Sequence, residues 1–389
     1  MREVVVLAAK RTAIGNFLGS LKDLSAVDMT AQLVVGTLRE IGIFPKMIEQ
    51  VIMGCSLQAG LGQNPARQVL IKSGISKDST AYTINEACGS GMRTVMLAAQ
   101  AIRVGEAEII IAGGMESMSR APYLLEKARQ GYRLGDGNVT DSMIKDGLWC
   151  AFGDYHMGLT AEKLSEKYGI MREEQDVFAL ESQKKYSEAQ KKGLFKEEIM
   201  PLELVDRNAV FDMDEHPRPD TTLEKLAGLE PAFDKNGTVT AGNASGITDG
   251  TAILILASSE KAEEIGLIPQ VRIKETVAVG VAPEEMGLGP VAAVKKLLNK
   301  TRNRLSKVDL IECNEAFAVQ TLAVGKELSW DWKKVNVNGG AIALGHPIGA
   351  TGARILVTLI HALGNNDKEK GLATLCVGGG EGLAVYVSR

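Results

Sequence analysis

A chain of 389 residues with 45% apolar side chains has room for two or three ordinary domains, which excludes a small disulfide-stapled scaffold. An aromatic content of 5% weighs against an all-β sandwich or a base-stacking platform, and a net charge of −4 with mixed signs leaves no basic stripe for nucleic acid. Cysteines 55, 88, 150, 313 and 376 are odd in number and form no C-x-x-C pair, so neither a disulfide framework nor a structural zinc site is expected, and a reducing, cytoplasmic compartment fits.

In chain order, Met1 to Leu7 begins as a short apolar strand rather than a signal peptide, and no run approaches the roughly 20 apolar residues of a membrane helix. Val4 to Ala8 reads as a buried strand, Asp28 to Ile41 as a helix, and Val51 to Gly54 as a strand entering the glycine-rich loop Gln58 to Pro65, with a further helix over Ala66 to Ser73. Next, the strand-like Tyr82-Thr83-Ile84 enters the Cys88-Gly89-Ser90-Gly91 turn, after which Val95, Leu97, Ala98, Ala101 and Ile102 recur at helical spacing. Cys88 is therefore expected at a helix N-terminus, where free N–H groups and the helix dipole favour a thiolate and predict a lowered pKa. Gly89 and Gly91 leave room for a ligand carbonyl to reach backbone donors. Taken alone, Cys88 also reads as a packing cysteine. Glu108 to Gly114 is a continuous apolar run, as expected of a strand covered on both faces. This half is α/β.

Strand signals thin out from about Met118, and one long amphipathic helix, Glu173 to Lys192, stands out through Val177, Phe178, Leu180, Tyr186 and Ala189. From Thr251 the earlier organisation returns. Pro290 to Leu298 followed by Val308 to Ile311 echoes Ala31 to Leu38 followed by Val51 to Met53. Ala350 to Arg354 leading into Ile355 to Leu363 echoes Gly89 to Arg93 before its helix, and Ala373 to Gly379 echoes Ile109 to Gly114. Duplication of an α/β half accounts for these echoes and would bring matching loops into one cleft. The expected domains are a first half over 1–118, completed by about 246–268, an inserted loop domain over 119–245, and a second half over 269–389.

His346 lies in the glycine-rich turn Asn338 to Gly352, and the pseudo-repeat sets it opposite the Cys88 turn. Cys376 ends an apolar strand and enters Val377-Gly378-Gly379-Gly380; it reads equally as a core cysteine or as part of a second site with bare N–H donors. Asn314 follows the strand ending at Cys313 and could close a turn or hold a water. Two cysteines, one histidine and glycine turns, with no metal-ligand spacing, no dinucleotide fingerprint and no Walker motif, suit acyl transfer through a thioester.

Arg11 to Gly15, Gln58 to Arg67, the Cys88 turn, Gly113 to Ser119, Asp154 to Gly158, Ala241 to Gly246, Asn314 to Phe317, Gly345 to Gly352 and Cys376 to Gly380 together resemble the thiolase family over essentially the whole chain, in order. Within it, the match is to the biosynthetic, acetyl-CoA C-acetyltransferase type. The resemblance implies two duplicated α/β halves in αβαβα layers with an inserted loop domain, and reversible Claisen condensation of two acetyl-CoA to acetoacetyl-CoA and CoA. A degradative 3-ketoacyl-CoA thiolase of broad chain length is the alternative.

On that resemblance Cys88 would carry the acetyl group, His346 would take its proton, and Cys376 would remove the α-proton of the second acetyl-CoA. Asn314 would hold a water that forms one oxyanion hole with His346, while the N–H groups of Cys88 and Gly378 would form the other. Ser245, His156 and Arg218 would contact coenzyme A, Met157, Met286 and Phe317 would wall a short acyl pocket, and Met115 to Tyr123 would begin a tetramerisation loop. No cofactor beyond the coenzyme A thioester substrates, no metal, no nucleic acid and no membrane partner is implied, and a homotetramer is. Glu86 and Glu381, carboxylates where relatives usually carry other residues, are expected to face away from the cysteines, and Met171 to remove a helix N-cap at a cost of about 1 kcal/mol.

Overall fold

The computed structural model describes residues 2–204 and 207–389. Among them a ten-stranded sheet runs through the molecule. Its main path uses β1 (Val4–Arg11), β2 (Gln50–Gly54), β3 (Thr80–Ile84), β4 (Ile109–Ser117), β5 (Thr248–Ser258), β6 (Val271–Gly280), β7 (Leu310–Cys313), β8 (Lys370–Val377) and β9 (Glu381–Ser388). They lie in the order β7-β8-β9-β6-β1-β5-β4-β2-β3, and the short pair Gly15–Asn16 adds to the start of β5.

Each half of this order has the same pairing. In the first, β2 runs parallel to β3 and β4, β4 is antiparallel to β5, and β5 is antiparallel to β1. In the second, β7 runs parallel to β8, β8 is antiparallel to β9, and β9 is antiparallel to β6. A single parallel bridge between Ile311 and Val335 stands where the counterpart of β3 would be. The halves join through β1 and β6, antiparallel, at Val5–Arg272 and Val6–Val271. Every residue of β1, β4 and β5 is buried, and their apolar runs Val4 to Ala9, Ile109 to Met115 and Ala252 to Ala257 are those of strands covered on both faces.

Two helices pack against each other in the centre, Ser90–Val104 and Ile348–Asn365. They approach through equivalent glycines: a Cβ on Gly91 would lie 2.8 Å from the Ala353 nitrogen, and one on Gly352 would lie 2.4 Å from the Met92 nitrogen. The second helix begins at Ile348, so Ala350 to Arg354 lie inside it instead of leading into a helix at Ile355. Its glycine-rich first turns look like a loop in the sequence. They are helix because Gly349 and Gly352 admit the backbones of Cys55 and Met92.

Residues 118–204 and 207–247 form helices and short hairpins, and the helices Gly158–Tyr168 and Arg172–Lys191 pack mainly on Ala318–Leu328 and Ala341–Leu344 of the second half. The long helix spans Arg172–Lys191; of its apolar stripe Tyr186 and Ala189 are buried and Phe178 and Leu180 partly buried, while Val177 is 48% exposed, and the helix also buries the polar Gln175, Asp176, Ser182 and Gln183. Those polar groups grip the surrounding loops. Asp176 accepts from Asn243 at 2.9 Å, and Gln183 Oε1 accepts the Arg218 N–H at 2.9 Å. At the helix start Met171 offers no side-chain cap, yet Glu174 still accepts the Met171 N–H at 3.0 Å, which keeps half of a capping box. The insertion is tied to β1 by the fully buried Arg11, which donates to Glu198 at 2.6 Å and in fork geometry to Asp214 at 2.6 and 2.9 Å. No helix among the described residues is long and apolar enough to cross a membrane.

Candidate active site

Cys88 lies two residues before the Ser90–Val104 helix, on a turn held in an uncommon conformation: Ala87 has φ 44°. The turn is pinned from several sides. Asn85 Oδ1 accepts the Ala87 N–H at 2.9 Å, and the hydroxyls of Ser90 and Ser56 donate to the Ala87 carbonyl at 2.7 and 3.0 Å. The Cys88 sulfur meets two backbone donors, the N–H groups of Gly378 and of Cys88 itself. These favour a thiolate, as the sequence suggests, but the expected lowered pKa is not found. Burial outweighs the donors, the charge of Glu116 adds to it, and the thiol is pushed up to about 11. Cys88 is a thiol at neutral pH that needs a base.

The His346 imidazole stands in the same cavity. Thr351 Oγ1 donates to the Pro347 carbonyl at 3.0 Å and lies 2.6 Å from His346 Nδ1, so Nδ1 carries the proton and Nε2 presents a lone pair. Burial, followed by the Arg354 charge, pushes the imidazole down to about 3 and keeps it neutral. Asn314, fully buried at the end of β7, brings Nδ2 to 3.5 Å from His346 Nε2, and its Oδ1 meets no partner among the described residues.

Cys376 lies one residue from the end of β8, buried in an apolar cluster with Met286, Ala316 and Phe317, against which Met157 packs. Burial raises its thiol well above the ordinary range, and the nearby Cys88 raises it further. Beyond β8 the chain reverses through Gly378, Gly379 and Gly380. Gly379 and Gly380 have φ 93° and 95°, and a Cβ on Gly380 would lie 2.4 Å from the Val281 carbonyl. The turn therefore requires glycine, and it leaves the Gly378 N–H aimed at Cys88.

One cavity of about 580 Å³ is lined by Cys88, His346, Cys376 and Gly378 and also by Ser245, His156, Met157, Arg218, Met286 and Phe317. Asn314 is not in its lining and reaches it only through His346. His156 stacks on Phe233 with ring centroids 4.5 Å apart and accepts the Gly158 N–H on Nδ1 at 3.1 Å; burial lowers its pKa. Ser245 is placed by its N–H to the Ala316 carbonyl at 3.0 Å. Arg218 also lines a smaller adjoining cavity of about 170 Å³, together with His216, Lys225 and Ala241. Glu86 pairs with Arg93, and Glu381 lies against Glu86, whose charge adds to burial in raising the Glu381 pKa.

Several groups at the site carry no signal that sequence reading finds. Thr351 orients His346 and Ser56 braces the Cys88 turn, yet each is an ordinary hydroxyl residue in the chain. Asn16 and His216 line the cavity and face each other at 2.7 Å from positions 200 residues apart.

Comparisons with known proteins agree over the full length. The family model "Thiolase, N-terminal domain" matches residues 4–260 and "Thiolase, C-terminal domain" matches residues 267–389. The chain is 55% identical to an acetyl-CoA acetyltransferase of Escherichia coli and 53% identical to one of Pseudomonas aeruginosa, covering 100% of each chain in both cases. It superposes on a crystal structure of the Bacillus anthracis acetyl-CoA acetyltransferase with a TM-score of 0.97 at 46% identity, covering 100% of this chain and 99% of that one.

Proposed function

The chain belongs to the thiolase family, and on that premise we propose that the cavity carries out acetyl-CoA C-acetyl transfer, the reversible condensation of two acetyl-CoA to acetoacetyl-CoA and CoA. The observation that carries this reading is the convergence of two thiols, the neutral His346 imidazole and a backbone donor pair on a single cavity. In the first half-reaction Cys88 Sγ attacks the thioester carbonyl as His346 Nε2 takes the thiol proton. The N–H groups of Cys88 and Gly378 receive the developing oxyanion, each such donor contributing about 3–4 kcal/mol. As the carbon–sulfur bond breaks, His346 returns the proton to the leaving CoA thiolate, and the acetyl group remains on Cys88.

In the second half-reaction Cys376 passes its proton to His346 Nε2 and, as the thiolate, removes the α-proton of a new acetyl-CoA, while the enolate oxygen is held by His346 Nε2–H and a water on Asn314. The α-carbon attacks acetyl-Cys88, the oxyanion again meets the two backbone donors, and Cys88 leaves as a thiolate that recovers the proton from His346, while Cys376 keeps the α-proton. Protons balance over the cycle. The high pKa of both thiols suits this course, because each is ionised only while its proton is being moved.

Ser245, His156 and Met157 would line the pantetheine path, and Arg218, at the junction with the smaller cavity beside Lys225, would face the phosphates. Met157, Met286 and Phe317 crowd Cys376 and support a short acyl group over a broad chain-length range. The exposed Tyr123, Leu134 and Phe152 in the stretch after β4 support a homotetramer, with Leu134 97% exposed. The reading needs no cofactor, metal, nucleic acid or membrane, and it suits a cytoplasmic enzyme of fatty acid metabolism. The deciding experiment is thiolysis of 3-ketoacyl-CoA substrates of increasing chain length with CoA in excess. A steep fall beyond acetoacetyl-CoA is expected; equal rates on long chains would leave the chemistry but overturn the short-chain assignment.

A further inference from the structure

Glu116 lies near the end of β4 with its carboxylate fully buried, and it lines no part of the catalytic cavity. Four donors converge on it. Oε1 accepts the Leu57 N–H at 3.1 Å and the Cys55 thiol at 3.6 Å, while Oε2 accepts the Ser56 N–H at 3.1 Å and the Gly349 N–H at 2.8 Å. Gly349 belongs to the first turn of the Ile348–Asn365 helix, whose positive end favours an anion there. The fit is close: a Cβ on Gly349 would lie 2.9 Å from Glu116 Oε2 and 2.9 Å from the Cys55 Cα.

These bonds lead to both reacting side chains. On one side, the Ser56 whose N–H is held by Glu116 donates its hydroxyl to the Ala87 carbonyl, and the Asn85 amide returns to the Ser56 carbonyl at 3.2 Å. Ala87 is bonded to Cys88. On the other side, the helix turn that Glu116 caps carries Thr351, which fixes His346 Nδ1. The nucleophile belongs to one half of the duplicated fold and the base to the other, and a single carboxylate grips the loops of both. Burying a carboxylate costs several kcal/mol, and an apolar residue of the same size would fill the space without that cost but would leave the convergent donors unmet.

We infer that Glu116 is a positioning residue that holds the Cys88 turn and the His346 turn at their working separation, acting through Ser56 and Gly349 without touching substrate. The inference rests on the acyl-transfer reading above. It also has a signature independent of that reading, because a negative charge at Glu116 opposes ionisation of Cys88 in a cavity whose other titratable and charged groups are His346, His156, His216, Arg218 and the Cys376 thiol.

The test is Glu116→Gln, which keeps the volume, removes the charge and turns an amide N–H2 toward backbone donors. Since a misplacement of about 1 Å costs about 10²-fold in rate, kcat should fall about 10²-fold with the KM for acetyl-CoA within about twofold. In the same protein, the midpoint of Cys88 alkylation by iodoacetamide should move to lower pH. Glu116→Asp should retain the wild-type midpoint. A variant that loses turnover through general destabilisation would show a normal midpoint, so any pattern other than lost kcat, kept KM and lowered midpoint overturns the inference. If Glu116→Gln does not fold, Ser56→Ala cuts only the link to Ala87; a kcat about tenfold lower at unchanged KM is expected, and an unchanged kcat overturns it. A wild-type protein without acetyl transfer would instead strike the acyl-transfer reading, and the alkylation midpoint would still report on Glu116.

Discussion

β4 and β8 occupy the same place in their half-sheets, each beside a parallel strand on one side and an antiparallel one on the other, yet they end very differently. After β4 the chain leaves for residues 118–247 before returning as β5; after β8 it turns back through Gly378 to Gly380 into β9. The long excursion supplies the cavity wall, including His156, Met157, Arg218 and Ser245. The tight turn supplies a bare N–H at Cys88 and places Cys376 one residue before the strand end. A duplicated frame thus serves two different tasks, because the sheet sets where a strand ends and the connection sets what is offered there. The same asymmetry separates the two thiols: Cys88 meets the Gly378 N–H besides its own, whereas Cys376 meets only its own and is fully buried among apolar side chains.

The sharpest break of that comparison comes from exchanging each thiol for a hydroxyl. Cys88→Ser should lower turnover by at least about 10⁴-fold, as removing a nucleophile that works with its base does, and should abolish acetyl-enzyme seen by mass spectrometry; label at another cysteine would count against the assignment. Cys376→Ser should leave acetylation of Cys88 within about tenfold while slowing exchange of the acetyl-CoA α-proton by about 10²–10⁴-fold. Equal loss of both steps would remove the division of labour.

A smaller effect is expected from the turn itself. Gly380→Ala would force a side chain into φ 95° and against the Val281 carbonyl. Strain of about 1–3 kcal/mol should appear in the denaturation midpoint, with a loss of kcat larger than the rise in KM because the Gly378 donor shifts. An unaltered kcat would mean that the turn is only a connection. The mildest test needs no substitution. With its thiol pushed up to about 11, Cys88 in the free enzyme should react with iodoacetamide at a rate climbing about tenfold for each unit of pH toward that value. A plateau near neutrality, measured by pH-dependent inactivation, would show that the helix end outweighs burial.

Cys88, His346 and Cys376 can be recognised in the chain because each lies in or beside a glycine-rich turn, and such turns are conspicuous in consecutive residues. Thr351, Ser56 and Glu116 cannot, since their importance lies in what they touch: an imidazole nitrogen, a carbonyl before the nucleophile, and N–H groups from two halves of the molecule. The long helix of the insertion teaches the same point. Its stripe of Val177, Phe178, Leu180, Tyr186 and Ala189 suggests a buried apolar face, and Tyr186 and Ala189 are buried, but Gln175, Asp176, Ser182 and Gln183 are buried as well and hold loops through hydrogen bonds that the stripe does not show.

Alternating strands and helices, the echo between the halves and the residues that bear the chemistry can all be read from the chain, because periodicity, turn composition and rare reactive side chains are properties of neighbouring residues. The ionisation of those side chains could not be. A helix end next to Cys88 predicts a lowered pKa, and the folded protein raises it, since walls drawn from both halves and the insertion strip the thiol of water. Desolvation depends on everything packed around a group, and only the folded chain brings that together.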